Sequence, residues 1–335
     1  MKVLFFFRST NAGPSIRRVF APIERLVSER AETRSVSLPY YRMIDCWKNM
    51  RYVSSILKTG SFDIVHITGD VYFLLLPLSI YRKKKGYKTI VTVHDLGHYT
   101  QHKHTLMHFF YYWLWIRPIK LADHITFISK KSFEEGDKLL KLNAEKVSIV
   151  SNPVMDEFRY APAPRNEKPR ILHVGTGPNK NLENVIKALN GVPCHLRVIS
   201  KLSDIQVELL KENGTDYSNV YNISDDQILE EYKQCDVVSF PSLYEGFGMP
   251  IIEGQAVGRV VVTSNREPMR TIAGNGAILV DPEDVRDIKR GFQIAISCPR
   301  QYVERGLENC KRFSPHVIAN RYFDIYCGLL NKSIQ

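Results

Sequence analysis

Short runs of β-branched and aromatic residues alternate with amphipathic stretches along the whole chain, and no other feature limits the fold so tightly. In the first half the runs fall at 3–7, 63–67, 89–93, 124–128 and 147–150. In the second half they fall at 170–174, 195–200, 220–222, 237–240, 259–263 and 278–280. Runs with little polar alternation read as parallel strands covered on both faces. Helical periodicity separates those of the first half, around 15–30, 45–58, 71–84, 104–119 and 130–141. Repeated βα units predict an α/β protein built from doubly wound parallel sheets. With 335 residues there is material for two such domains, expected at 1–155 and 156–314. The stretch 160–169 holds three prolines and few apolar residues, and it is expected to link them.

Composition narrows the function. The longest apolar run, Val71 to Tyr81, contains Pro77 and falls short of the ~20 residues of a membrane span. The opening Met1 to Arg8 has too short an apolar core for a signal peptide and reads as a first buried strand. Six scattered cysteines without a C-x-x-C pair suit reduced thiols and a cytoplasmic location. Charge is uneven: residues 1–155 hold 24 Lys+Arg against 12 Asp+Glu, and residues 156–335 hold 22 against 23. The whole net charge of +11 therefore arises in the first half. That half either carries a solvated basic surface or faces an anionic partner, such as a membrane surface or a lipid pyrophosphate acceptor. No nucleic-acid motif accompanies the charge, so no nucleic-acid partner is expected.

The chemistry concentrates between Phe240 and Gln255, F-P-S-L-Y-E-G-F-G-M-P-I-I-E-G-Q. A β-type run ends there, Gly246 and Gly248 flank Phe247, and Pro250 suits a first helical turn. A helix start relaxed by glycine offers backbone N–H groups and a positive dipole end, a seat for phosphate or sugar hydroxyls. Glu245 and Glu253 bracket it with carboxylates, which accept from vicinal hydroxyls. A second loop, Gly175-Thr176-Gly177-Pro178-Asn179-Lys180, follows a strand and brings a point charge. Anion seat, cation and hydroxyl clamps together fit a nucleotide sugar. A glycosidase acid–base pair is a second reading of the two glutamates.

The spacing Glu245 to Glu253 resembles the E-x7-E signature of the retaining glycosyltransferase family 4, which has the GT-B fold. The likeness continues in Thr263-Ser264-Asn265, in Ala273-Gly274-Asn275-Gly276, in His173-Val174-Gly175 and in Val93-His94-Asp95. It implies two Rossmann-like domains facing each other across a cleft, with a last helix near 315–335 returning to the first domain. It also implies transfer from a nucleotide diphosphate donor, UDP- or GDP-linked, to a glycan or lipid-linked acceptor, without metal or other cofactor. By the same resemblance Lys180 neutralises the leaving diphosphate, Glu245 touches the donor sugar, Glu253 grips the ribose, and His94 contacts the transferred sugar. Gly175, Thr176, Ser224, Gly246, Phe247, Gly248 and Met249 complete the expected donor site. Gly13, Arg17 and Asp95 are expected on the acceptor side. The chain departs from the family at Thr176, where many members have arginine, and at Ala12-Gly13, where two glycines are usual. A sugar-nucleotide epimerase of the same fold and a non-catalytic basic binding protein are the alternatives.

The aromatic segment from Phe109 to Trp115, with Arg117 and Lys120, suits either a membrane interface or a core helix. His104 and His108 stand one helical turn apart near His102, but no acidic partner accompanies them, so no metal site is expected.

Overall fold

The computed structural model describes residues 1–13, 15–96, 106–163 and 166–331. Two compact units result: Met1–Pro153 together with Pro315–Gln335, and Val154–Ser314. Each holds one six-stranded, fully parallel sheet. In the first unit the strands are β1 (Lys2–Phe7), β2 (Glu32–Ser37), β3 (Ile64–Ile67), β4 (Lys88–Val93), β5 (His124–Phe127) and β6 (Val147–Ile149), in the order β2-β1-β3-β4-β5-β6. In the second they are β7 (Arg170–Val174), β8 (His195–Ile199), β9 (Tyr217–Val220), β10 (Val237–Phe240), β11 (Val260–Ser264) and β12 (Ile278–Val280), in the order β12-β11-β10-β7-β8-β9.

Burial on both faces explains the all-apolar strands. In β1, Leu4 and Phe6 join a core on one face, with Val65, Ile67, Val91 and Val93. Phe5 and Phe7 join a separate core on the other, with Phe20 and Ile23 of the helix Ser15–Ser28 and with Tyr322 and Tyr326 of the helix Pro315–Asn331. Successive side chains point oppositely, so a strand covered twice has no position that faces water. β2 shows the converse. It pairs with β1 alone, reads E-T-R-S-V-S, and only Val36 is buried. The apolar-run criterion therefore missed this edge strand, and it placed β9, the other sheet's edge, three residues late.

A polar network is set into the core of the first unit. His66 is fully buried; one ring nitrogen meets the Tyr326 hydroxyl at 2.8 Å and the other meets Thr92 Oγ1 at 2.8 Å. Thr92 also contacts Thr126 Oγ1 and the Tyr322 hydroxyl. His66 is thus spent on holding the last helix to its sheet.

In the second unit, the helix Met249–Val257 packs directly on the sheet because Gly254 has no side chain; a Cβ there would lie 2.8 Å from Val238 Cγ2. The described residues of the expected linker 160–169 belong to the second unit. The buried Arg259 donates to the carbonyls of Ala161 and Pro162 (both 3.0 Å) and of Lys233 (2.8 Å). Asn166 donates to Asp236 Oδ2 at 2.8 Å. The proline-rich stretch is thereby fastened to the unit it opens.

The aromatic segment divides between its two readings. It forms a helix at Leu106–Tyr111, a π-helical turn at Tyr112–Ile116 and a tight turn at Arg117–Leu121. Trp115 and Ile116 are core, while Phe109, Phe110 and Trp113 are about half exposed. His102 and His104 lie outside the described residues. Among the described residues no helix is long and apolar enough to cross a membrane.

Burial pushes His66 down to about 3. The unfolded chain protonates it near pH 6.5. Stability is therefore intact above that pH and falls as pH drops towards the folded value, by at most ~1.4 kcal/mol per pH unit from this group. All three tryptophans (47, 113 and 115) belong to the first unit, so their fluorescence follows that unit. Urea unfolding followed this way should show a lower midpoint at about pH 5 than at about pH 7. An unchanged midpoint would contradict a neutral His66.

Candidate functional site

In the second sheet the strand order reverses between β7 and β10. At such a point the loops leaving two neighbouring strands diverge and open a crevice at their carboxyl ends. The chain after β7 begins with Gly175 at φ +93, and a Cβ there would sit 3.0–3.3 Å from the aliphatic carbons of Lys180. Glycine lets the lysine stem fold back over the loop. A tight turn, Pro178–Lys180, follows, and Asn181 (φ 65) starts the helix Leu182–Ala188. The Asn181 amide donates to the carbonyls of Pro241 (3.0 Å) and Pro282 (2.7 Å), tying the loops after β7, β10 and β12 together. Leu243 N–H donates to Asn179 O at 2.8 Å, and the Asn179 amide donates to Tyr244 O at 3.1 Å.

This stitching sets Lys180 Nζ 2.6 Å from Glu245 Oε1, with 24% and 13% of the two side chains exposed. Lys180 Nζ also stands 4.8 Å from the centre of the Phe240 ring. Gly246, Phe247 and Gly248 then lead into the helix Met249–Val257. Gly248, at φ +116, adopts the left-handed backbone that glycine favours and brings no side chain to cap the helix. Phe247 is buried against Phe313, so it offers the site its backbone and not its ring. Glu253, in the second turn, accepts a 2.7 Å hydrogen bond at Oε2 from the buried Tyr232 hydroxyl. Beneath the lysine lies His173, fully buried and held neutral: burial, with a smaller push from the Lys180 charge, lowers it to about 3. Its Nδ1 meets Ser239 Oγ at 3.2 Å.

The other expected donor residues are engaged in framing. Thr176 Oγ1 donates to Lys201 O at 2.8 Å. Ser224 caps the helix Asp225–Gln234: its Oγ accepts from Gln227 N–H, and its own N–H donates to Gln227 Oε1 at 2.8 Å.

In the first unit, His94 follows β4 directly, and its Nε2 donates to Thr68 O at 2.9 Å. Burial lowers its pKa, so the ring is neutral near pH 7 with Nδ1 as its acceptor. Asp95 beside it is exposed. Gly13 adopts φ +94, and its carbonyl accepts from Arg8 Nη2 at 3.3 Å. Arg17 turns away onto its own surroundings, over the Phe7 ring at 4.2 Å and 3.6 Å from Glu24. Arg8 reaches into the loop of Gly13, meeting Ser15 Oγ at 2.9 Å and Asp70 Oδ2 at 3.3 Å. Sequence reasoning missed Arg8, Asn179, Asn181 and Tyr232. The signal for the asparagines was present: two amides in a strand-to-helix loop can bridge to neighbouring carbonyls.

The family described as Glycosyl transferases group 1 matches residues 154–314, and the one described as Glycosyltransferase Family 4 matches residues 10–158. The chain is 26% identical over 240 residues to the serotype-specific mannosyltransferase WbdA of Escherichia coli, covering 63% of this chain and 29% of that protein. It thus spans less than a third of that relative's length. It is 22% identical over 307 residues to the O-antigen chain mannosyltransferase RfbU of Salmonella typhimurium, covering 88% of this chain and 79% of that one. Among solved structures, Anabaena HepE in complex with UDP-glucose superposes with a TM-score of 0.73 at 14% identity, covering 98% of this chain and all of the other. The fold is GT-B.

A nucleoside diphosphate seated at Lys180 stabilises the folded state in proportion to occupancy. In a thermal-shift panel of UDP, GDP, ADP and dTDP, at least one should raise the midpoint of the natural chain and fail to do so for Lys180→Ala. A shift that survives the substitution would show that the nucleotide sits elsewhere.

Proposed function

Since the chain belongs to glycosyltransferase family 4, we propose that it moves a hexosyl or N-acetylhexosaminyl group from a UDP- or GDP-sugar to an acceptor hydroxyl, with retention at the anomeric carbon and without a metal. The observation that carries this reading is the Lys180–Glu245 ion pair set at the reversal of strand order, beside the helix start at Met249. A diphosphate oxygen arriving at Lys180 takes over the ammonium from Glu245. The released carboxylate then accepts from a hydroxyl of the donor sugar. Lys180 and the first turn of the helix stabilise the charge that grows on the leaving diphosphate, the usual dominant catalytic effect. Glu253, held by Tyr232, accepts from the ribose hydroxyls. The family resemblance gives His94 a part in handling the transferred sugar, and its Nδ1 is the ring's acceptor. Among nucleophiles, the acceptor hydroxyl is favoured over water by the family, which sets aside the glycosidase reading.

The relatives named as O-antigen mannosyltransferases support an acceptor from bacterial surface glycan assembly, lipid-linked or polysaccharide. The decisive assay incubates a panel of UDP- and GDP-sugars with lipid-linked acceptors, with and without EDTA, and reads the anomeric configuration of the product by proton NMR. Transfer with retention, indifferent to EDTA and reduced ~10²–10³-fold in Lys180→Ala, is expected. Donor consumed equally without acceptor would indicate an epimerase instead, and an inverted product would overturn the stereochemistry.

The first unit is the proposed partner of an anionic membrane surface on the cytoplasmic side. Its basic excess accompanies half-exposed Trp47, Phe109, Phe110 and Trp113, with Arg51 and Arg117 lying over Trp47 and Trp113 at 5.7 and 4.3 Å. Aromatic rings with basic neighbours suit the headgroup region. The protein should sediment with phosphatidylglycerol vesicles at low salt and be released at high salt. Equal binding to neutral phosphatidylcholine vesicles would exclude the electrostatic part.

A further inference from the structure

An asparagine followed by glycine is prone to close on itself, because glycine has no side chain to shield its backbone nitrogen. The chain has three such pairs, Asn190-Gly191, Asn213-Gly214 and Asn275-Gly276. Ring closure needs two groups, the side-chain amide of the asparagine and the backbone N–H of the glycine. The fold treats these groups differently in the three pairs.

Two pairs are protected. Asn213 Nδ2 donates to Ile186 O at 2.7 Å and to Thr215 Oγ1 at 2.9 Å, and Gly214 N–H donates to Lys211 O at 3.0 Å. Gly276 N–H donates to Ala273 O at 3.2 Å, and a Cβ on this glycine would lie 2.5 Å from Gly306 Cα. The attacking nitrogen is occupied in both.

Asn190-Gly191 is open. It lies in the turn between the helix Leu182–Ala188 and β8, and both residues are exposed. Gly191 N–H has no hydrogen-bond partner among the described residues. The Asn190 side chain makes one hydrogen bond among them, from Nδ2 to Asn213 Oδ1 at 3.3 Å. Around Gly191, at φ +70, the nearest atom to a built Cβ is Lys289 Nζ at 3.8 Å, so there is room for a ring.

Lys289 adds an activating charge. Its Nζ donates to Asn190 O at 2.6 Å. That carbonyl belongs to the same peptide group as Gly191 N–H. When the N–H loses its proton, the negative charge spreads onto the carbonyl oxygen, directly against the ammonium. An opposite charge at hydrogen-bond distance favours the charged form of a group, so this amide gives up its proton more readily than an ordinary one.

We propose that Asn190-Gly191 is a spontaneous deamidation site activated by Lys289. Hydroxide takes the Gly191 amide proton. The nitrogen anion attacks Asn190 Cγ, an N–C bond forms, and the side-chain amide leaves as ammonia with a proton from water. Water then opens the five-membered imide at either carbonyl, giving aspartate or isoaspartate at 190. Either product sets a carboxylate near the Lys289 ammonium, and isoaspartate lengthens the backbone by one carbon just before β8. The turn lies at the amino edge of the sheet, whereas Lys180 and Glu245 follow the carboxyl ends of β7 and β10.

The test ages the full chain in mildly alkaline buffer and follows each Asn-Gly peptide by mass spectrometry, with isoaspartyl methyltransferase labelling to count isoaspartate. The peptide of Asn190 should convert several-fold faster than the other two, and faster still as pH rises. In urea all three should convert at similar rates, because the selectivity comes from the fold. Lys289→Gln should slow conversion at 190 several-fold in the folded chain and leave the urea rate unchanged, and Lys289→Arg should restore most of the loss. The thermal midpoint of each variant checks its folding. Equal rates at 190 and 213 in the folded chain overturn the proposal. So does a rate at 190 that is unchanged or higher in Lys289→Gln. Neither readout needs a nucleotide or an acceptor, so the outcome stands apart from the transferase reading.

Discussion

A parallel sheet must be covered on both faces, and this requirement organises each unit. Strands such as β1 and β10 have every position or nearly every position buried, so their side chains are committed to packing. Helices take both flanks. What remains for chemistry is the carboxyl end of each strand, where the chain must turn and its polar backbone groups must be satisfied. Both sheets therefore present their polar side chains in the same topological place. In the second unit that place holds Lys180 and Glu245, and in the first it holds Arg8 and Asp70.

The loops are positioned by amides as much as by packing. Asn181 joins three strand-end loops through two carbonyls, and Asn179 seals the loop that carries Glu245. Lys180 owes its position to glycine at 175 and to this stitching. Arg259 plays the corresponding part at the last turn of the helix Asp225–Gln234. It gathers the carbonyls of Tyr232, Lys233, Ala161 and Pro162, and Tyr232 in turn holds Glu253. A guanidinium bound by carbonyls can be buried because its five donors are nearly all used.

How much of this was legible in the sequence follows from what sequence periodicity reports. Strands with most positions buried announce themselves, because burial selects mainly apolar residues; Arg170–Val174, Val237–Phe240 and, at the edge of its sheet, Ile278–Val280 were read to the residue. The edge strand Glu32–Ser37 does not, since it buries one residue and owes its existence to the β1 ladder. Lys180, Glu245 and Glu253 were legible as residue types in a loop-and-helix-start context, and the structure joins the first two directly. For Arg17, periodicity says that the residue is polar, not which way its long side chain turns; the Phe7 ring and Glu24 decide that. Arg8 and Asp70 stayed hidden because 62 residues separate them, and only the β1–β3 pairing brings them together. The prolines at 162 and 169 suggested a linker, yet a single buried arginine distant in sequence overrode them.

The Lys180–Glu245 pair also bears on which small molecules the crevice ignores. A bare phosphate ion that captures the ammonium leaves a carboxylate, 13% exposed, with its strongest partner removed. Stranding a largely buried charge in this way costs a few kcal/mol, on the order of what one phosphate contact returns. A molecule carrying an anion and a hydroxyl at the right separation replaces both halves of the pair and strands neither. Under the proposed donor reading, the resting ion pair answers to two features at once, an anion and a hydroxyl, and disfavours bare inorganic anions by charge and not by a steric gate.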